Sequence, residues 1–104
     1  MIGELRLVVA PDALAEIVAI QIWWRDNRPR APDLFQREMD YALEVLPRTP
    51  EIAPLVRWEG RRMRAYALPR SRYLVLYTVD REAGEVRVAR VRNMKRRPIH
   101  VRNI

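Results

Sequence analysis

Arg61, Arg62 and Arg64 crowd one short segment, and Arg92, Lys95, Arg96 and Arg97 crowd another further along the chain. Guanidinium and ammonium groups at such spacing contact phosphate or carboxylate, and alone they can stabilise the charge of a phosphoryl transition state. In a strand, Arg62, Arg64 and Tyr66 would share one face. That face could hold phosphates and stack a base, or accept an acidic peptide; solvated surface charge is the plain alternative. Other chemistry is poorly supplied. There is no cysteine and one histidine, His100, and Ser71 has no histidine near it in sequence. Glu38, Asp40 and Glu44 fall on one helix-like stretch, with Asp40 and Glu44 on a surface-like face. Paired carboxylates can do acid–base work, yet solvated helix charges are commoner. No cluster has metal-ligand spacing, and Gly3, Gly60 and Gly84 form no phosphate loop. No catalytic residue, metal or cofactor is expected.

The formal net charge of +7 arises at the C-terminal end. From Val86 onward Arg87, Arg90, Arg92, Lys95, Arg96, Arg97 and Arg102 meet no acidic residue, and the rest of the chain balances. Charge of one sign gathered at one end draws an anionic partner better than charge spread evenly. Lys95 is the only lysine; a bias to arginine suits bidentate contacts and also follows from genome base composition.

With 104 residues, 49% of them hydrophobic, the chain fits one domain with one core. The absence of cysteine fits a reducing cytoplasm. Met1–Leu5 has no basic segment leading into an apolar run, so no secretory signal is expected. Ile17–Trp24 is broken by Gln21 and is shorter than the ~20 residues that span a bilayer. A soluble cytoplasmic protein without a membrane segment is the expectation.

The elements that would position the basic groups follow from apolar spacing. Leu5, Leu7 and Val9 predict a strand with one buried face, stopped by Pro11, with Asp12 as N-cap of a helix. Ala13, Ile17, Ile20 and Trp24 form that helix's apolar stripe; Trp24 belongs to the core, and Trp23, about 100° round the helix, is core or interface anchor. Residues 25–30 read as a polar turn, with Pro32 in the first turn of a second helix. There Phe35, Met39, Ala42 and Leu46 make the stripe, widened by Leu34, Tyr41 and Val45, and Pro47 and Pro50 end it. Residues 49–60 read as a loop. One strand follows with Arg62, Arg64, Tyr66 and Leu68 on one face and Met63, Ala65 and Ala67 on the other. Tyr73–Val79 is apolar on both faces and predicts a central strand. Asp80–Glu85 is a hairpin loop, and Val86–Val91 closes the hairpin. The expected fold is α+β: strand, helix, helix and three strands, a helical hairpin on a mostly antiparallel sheet.

This order, with its basic end, resembles the RelE/ParE toxin superfamily of type II toxin–antitoxin pairs, over roughly residues 3–98. Ile17–Leu46 is similar to the family's helical hairpin, with Asp26-Asn27-Arg28-Pro29-Arg30-Ala31 at its turn. Arg61-Arg62-Met63-Arg64 and Tyr73-Leu74-Val75-Leu76-Tyr77-Thr78-Val79 resemble its arginine-bearing and Tyr-x-x-x-Tyr strands. Val91-Arg92-Asn93-Met94-Lys95-Arg96 resembles its closing Val-x-His-x-Arg-Arg, with Asn93 where histidine is usual. Asparagine keeps hydrogen bonding but does not titrate near neutrality.

The fold hosts two activities in that superfamily. RelE-like members are ribosome-dependent ribonucleases, whose basic positions align with Ala65, Ala67, Leu74 and Met94, none basic here. ParE-like members inhibit DNA gyrase without a recognised nuclease site. The resemblance therefore implies a ParE-like, non-catalytic, growth-inhibiting toxin domain at residues 1–98 with a tail at 99–104, acting on DNA gyrase and neutralised by an acidic antitoxin that folds on binding. The expected effector residues are Arg64, Arg92, Asn93, Lys95, Arg96 and Arg97. Trp23, Leu34, Tyr41 and Arg62 are the expected antitoxin contacts. A RelE-like messenger-RNA endonuclease and a small nucleic-acid-binding module are the alternatives.

Overall fold

The computed structural model describes residues 4–95. Strand β1 (Arg6–Val9) turns Leu5, Leu7 and Val9 toward the main core, as their alternation predicts. Pro11 opens helix α1 (Pro11–Asn27), because its fixed φ suits a first helical position. Ala10 is the N-cap and makes no side-chain cap bond, so Asp12 stands in the first turn and meets the positive end of the helix dipole instead of capping. The expected turn at residues 25–30 is also corrected. Arg25–Asn27 complete the helix, with the Asn27 side-chain amide donating to the Trp23 carbonyl at 2.8 Å and the Arg28 N–H closing on Trp24 at 2.9 Å.

Helix α2 (Leu34–Val45) begins after Pro32, which lies in the preceding turn. Phe35, Met39, Ala42 and Leu46 are buried as their spacing predicts. Tyr41 does not widen that stripe: it is 61% exposed, and Leu43 packs on the core in that role.

The segment read as a loop holds strand β2 (Leu55–Trp58). Its hairpin to β3 (Arg61–Leu68) turns on Glu59 and Gly60, with φ of 48° and 77°. Two positive φ values are what a two-residue type I′ hairpin needs; Glu59, in place of the usual Asn or Asp, hides the turn. Strands β4 (Tyr73–Asp80) and β5 (Glu85–Asn93) follow. The sheet order is β1-β5-β4-β3-β2, with β1 parallel to β5 and every other pair antiparallel. The expected α+β class and central β4 hold, with one strand more than the sequence reading had after the helices.

Side chains on the helix-facing side of the sheet, among them Leu68, Tyr73, Val75, Tyr77, Val86, Val88 and Val91, join the buried residues of α1 and α2 in the main core. Tyr77 is wholly buried, and its hydroxyl donates to the Pro50 carbonyl at 2.7 Å. Arg64 belongs to both ladders of β3: Arg61–Arg64 pair with β2, and Arg64–Leu68 pair with β4. On the N-terminal side of Arg64 the β2–β3 hairpin is unpaired with β4 and closes over the opposite face. There Val56, Trp58, Met63, Ala65 and Leu76 form a second buried cluster. The Trp58 ring centroid lies 5.6 Å from the Arg92 guanidinium carbon of β5. No described helix is long and apolar enough to cross a membrane.

Candidate functional site

The far end of β5 is where the basic residues gather, and its geometry follows from a missing neighbour. Strand β1 pairs only with Glu85–Val88. Beyond that point α1 flanks the edge of β5, and Glu16 supplies what a strand would. Glu16 Oε1 accepts from the Val91 N–H at 2.8 Å. Its Oε2 accepts from Arg90 Nη2 at 2.8 Å and Nε at 2.9 Å, and from Arg92 Nη1 at 3.3 Å. The bond to Glu16 raises the Arg90 pKa against the opposing effect of desolvation. Arg87 meets Glu85 at 3.3 Å.

Three members of the basic end, Arg87, Arg90 and Arg92, are thus strand residues paired with the protein's own carboxylates. Lys95 has no carboxylate partner among the described residues, and its N–H donates to Asn93 Oδ1 at 2.8 Å. Arg96 and Arg97 lie outside the described residues.

Between α1 and this end of β5 runs a groove of about 650 Å³. Ala19, Ile20, Trp23 and Trp24 form one wall and Tyr73 and Val91 the other. Trp24 is anchored by an Nε1–H bond to the Tyr73 hydroxyl at 3.3 Å, and Tyr73 meets Phe35 edge to face at 5.0 Å. Trp23, 43% exposed, sets its ring 6.1 Å from that of Trp24. The Arg28 guanidinium rests over both indoles, at 4.7 and 5.7 Å from their centroids.

The remaining rim is the β3–β4 turn. Glu38 accepts from the N–H groups of Arg70 (3.0 Å) and Ser71 (2.9 Å) and from the Ser71 hydroxyl (2.7 Å). That accounts for buried Ser71 and assigns Glu38 to the turn rather than to a carboxylate pair. Arg72 sits at φ 70°, its N–H on Leu68 at 2.9 Å and its carbonyl accepting from the Met94 N–H at 3.0 Å.

The structure therefore brings Arg92, Asn93 and Lys95 to one groove with Trp23, which the sequence reading had grouped with antitoxin contacts. It does not bring Arg64 there. Arg64 pairs across from Tyr77 and Arg92 from Leu74, so the two arginines lie on opposite faces of the sheet. Arg64 is half-buried, and its Nη1 donates to the Ala53 carbonyl at 2.7 Å. Arg62 is exposed on the same strand, Tyr41 is exposed on α2, and Leu34 packs on the main core.

Sequence reasoning missed Glu16, Arg28, Arg70 and Arg72. It also missed a second apolar stripe on α1: Leu14, Val18 and Ile22 are 54%, 46% and 52% exposed. Their spacing of four was legible; that they face outward was not. At roughly 100° per residue this stripe is centred about 130° round the helix from the Glu16–Ala19–Trp23 flank that lines the groove.

Ala65, Ala67, Leu74 and Met94 stand where the resemblance puts nuclease basic groups, and Ala65 is buried. Among the described residues no cluster of histidine, cysteine or acidic side chains has the form of a metal site.

Comparison with known proteins agrees with this architecture. The chain superposes on a chain of the chromosomal ParDE TA system from P. aeruginosa with a TM-score of 0.67 at 15% identity, covering 86% of this chain and 96% of that one. It superposes on a chain of the archaeal RelE–RelB complex from Pyrococcus horikoshii OT3 with a TM-score of 0.53 at 15% identity, covering 91% and 100%. No curated protein sequence matches it. The model of the ParE toxin of type II toxin–antitoxin systems (parDE) matches residues 7–98, nearly the whole chain, and the protein belongs to that family.

Proposed function

We propose that this toxin acts by contact, without breaking a bond in its target, that the target is DNA gyrase, and that a cognate antitoxin neutralises it. The observation that carries this reading is the end of β5. Arg92, Asn93 and Lys95 emerge together beside a groove, with asparagine where the family's closing motif has histidine. Neither a guanidinium paired to Glu16 nor an asparagine is a general base. The positions that resemblance assigns to ribonuclease chemistry hold Ala65, Ala67, Leu74 and Met94.

The effector surface on this reading is Arg92, Asn93 and Lys95, joined by Arg96 and Arg97. Arg64 is better explained as a fastener of the Ala53 loop. The antitoxin covers the outward stripe of α1, Leu14, Val18 and Ile22, with Tyr41 a further exposed apolar residue on α2. An exposed run of this kind suits the apolar face of a partner helix.

The test is a supercoiling assay with purified protein. Inhibition of gyrase near stoichiometric ratios, with no cleavage of messenger RNA in a translation extract, is the expected result. Normal supercoiling at large molar excess would remove gyrase as the target. Codon-dependent cleavage in the extract would transfer the assignment to the endonuclease alternative, and tight binding to naked nucleic acid with neither effect to a nucleic-acid-binding module.

A further inference from the structure

We infer that the effector site does not end with β5 but continues across the groove to Arg28, Arg70 and Arg72, and that the completed groove takes an acidic polypeptide segment of the target. The inference rests on the contact reading above and adds to it the ligand's chemistry and further residues.

Charge is the first argument. The groove is rimmed by Arg28, Arg70, Arg72, Arg92 and Lys95, and its one acidic residue, Glu16, is already engaged with Arg90, Arg92 and the Val91 N–H. No described carboxylate lies within ion-pair reach of Arg28, Arg70, Arg72 or Lys95. Low-dielectric walls focus such a field on whatever enters.

Shape is the second. A strand of nucleic acid is held by cations spread along a track, with bases laid on free aromatic faces. Here the cations ring a short cleft, Arg28 occupies the Trp23 face, and the Trp24 indole is turned to Tyr73. A carboxylate side chain beside an apolar one fits: the acid meets the rim guanidiniums, and the neighbour packs on Ile20 and the indole edges.

The site also shows how it treats carboxylates. Glu16 in the cleft is held by one backbone N–H and two guanidiniums, and Glu38, behind the turn that forms its rim, by two backbone N–H groups and a hydroxyl. One guanidinium at the rim is already oriented, Arg28 shelved on two rings, and the Arg72 backbone is fixed at φ 70° between Leu68 and Met94. Such pre-ordering lowers the entropic cost of binding.

The probe is a synthetic peptide alternating glutamate with leucine, titrated by tryptophan fluorescence against the full chain beside a single-stranded oligonucleotide of equal charge. The peptide should bind at least about tenfold more tightly than the oligonucleotide. Arg28→Glu should weaken it about tenfold or more, as removal of an interface arginine does, while Arg37→Glu, on the exposed outer side of α2, leaves it unchanged. Equal loss in both variants would mean that net charge alone is read, and preference for the oligonucleotide would reverse the ligand class; either overturns the inference. Growth arrest on induction is scored in parallel. If Arg28→Glu loses the peptide but arrests growth as the native chain does, the groove is not the target site although the contact reading stands. If the native chain does not arrest growth, the contact reading fails and the claim that the groove serves a target fails with it, whatever the peptide does.

Discussion

Glu16 and Val91 stand 75 positions apart, and the carboxylate of the first accepts the backbone N–H of the second at 2.8 Å. A helix side chain here terminates a sheet edge that β1 leaves bare. The same carboxylate holds Arg90 and Arg92, so one residue sets both the path of β5 and the charge available at its end. Glu16→Ala leaves the Val91 N–H and two guanidiniums without that partner. Val91 is buried and the two guanidinium side chains are 28% and 30% exposed, so the expected loss is about 2 kcal/mol. Glu16→Gln, which keeps an acceptor for Val91, should cost about half that. Urea unfolding midpoints with unchanged slope would measure it. A Glu16→Ala midpoint equal to that of the native chain would show the clamp to be incidental.

The relationship also marks where reading the sequence stops. The inward stripe of α1, the stripe of α2 and the doubly apolar β4 were legible because burial writes a period into the chain. Glu16 was not, since nothing local to α1 says that a strand end will arrive beside it. Strand β2 was missed for a local reason: Glu59 takes a positive φ that glycine or asparagine usually signals. The outward stripe of α1 was hidden by the helix's own composition. Leu14, Val18 and Ile22 are centred only about 120° round the helix from Ala13, Ile17 and Trp24, so the two stripes adjoin and together look like one broad core face.

Tyr77 gives a pH test. Burial is the main cause that raises its pKa from the ordinary 10.0 to about 12, while the Ala53 backbone and the Arg64 charge pull the other way. Between those values the unfolded chain has released the proton and the folded chain retains it. The stabilisation is therefore complete below pH 10 and is lost as the pH rises through about 12. Tyr66 is raised too, chiefly by desolvation. Tyr77→Phe should cost about 1 kcal/mol near neutrality by orphaning the Pro50 carbonyl and should flatten the alkaline loss. An unaltered alkaline profile would contradict this account.

The outward stripe of α1 gives an interaction test. Val18→Glu changes an exposed position and should shift stability by no more than about 0.5 kcal/mol. If the stripe is the antitoxin's seat, the same change should weaken the complex with the protein encoded by the neighbouring reading frame at least tenfold or so. Calorimetry with the co-purified pair reads both. Undiminished affinity would move the antitoxin to another face.

Arg64 separates fastening from catalysis. Its Nη1 reaches the Ala53 carbonyl at 2.7 Å, next to the junction where the β2–β3 hairpin parts from β4. Arg64→Ala should lower stability by about 1–2 kcal/mol and leave growth arrest intact at a permissive temperature. Loss of arrest in a variant that still folds would return Arg64 to the effector surface and favour the endonuclease alternative.

The ladder at the end of β5 decides how a truncation should be made. Arg92 pairs with Leu74, Asn93 with Tyr73, and the Met94 N–H bonds to the Arg72 carbonyl. A stop codon after Val91 removes these bonds with the charges, so lost toxicity would say nothing about effector groups. A stop after Lys95 keeps them all and removes Arg96, Arg97 and Arg102. The longer product should melt within about 2 °C of the full chain, and the shorter one several degrees lower, since about 1 kcal/mol moves a domain of this size by 4–8 °C. If Arg96 and Arg97 act on the target, the longer product folds and no longer arrests growth. If it still arrests growth, the effector charge is confined to Arg92, Lys95 and the groove rim, and Lys95→Glu in the truncated chain becomes the decisive variant.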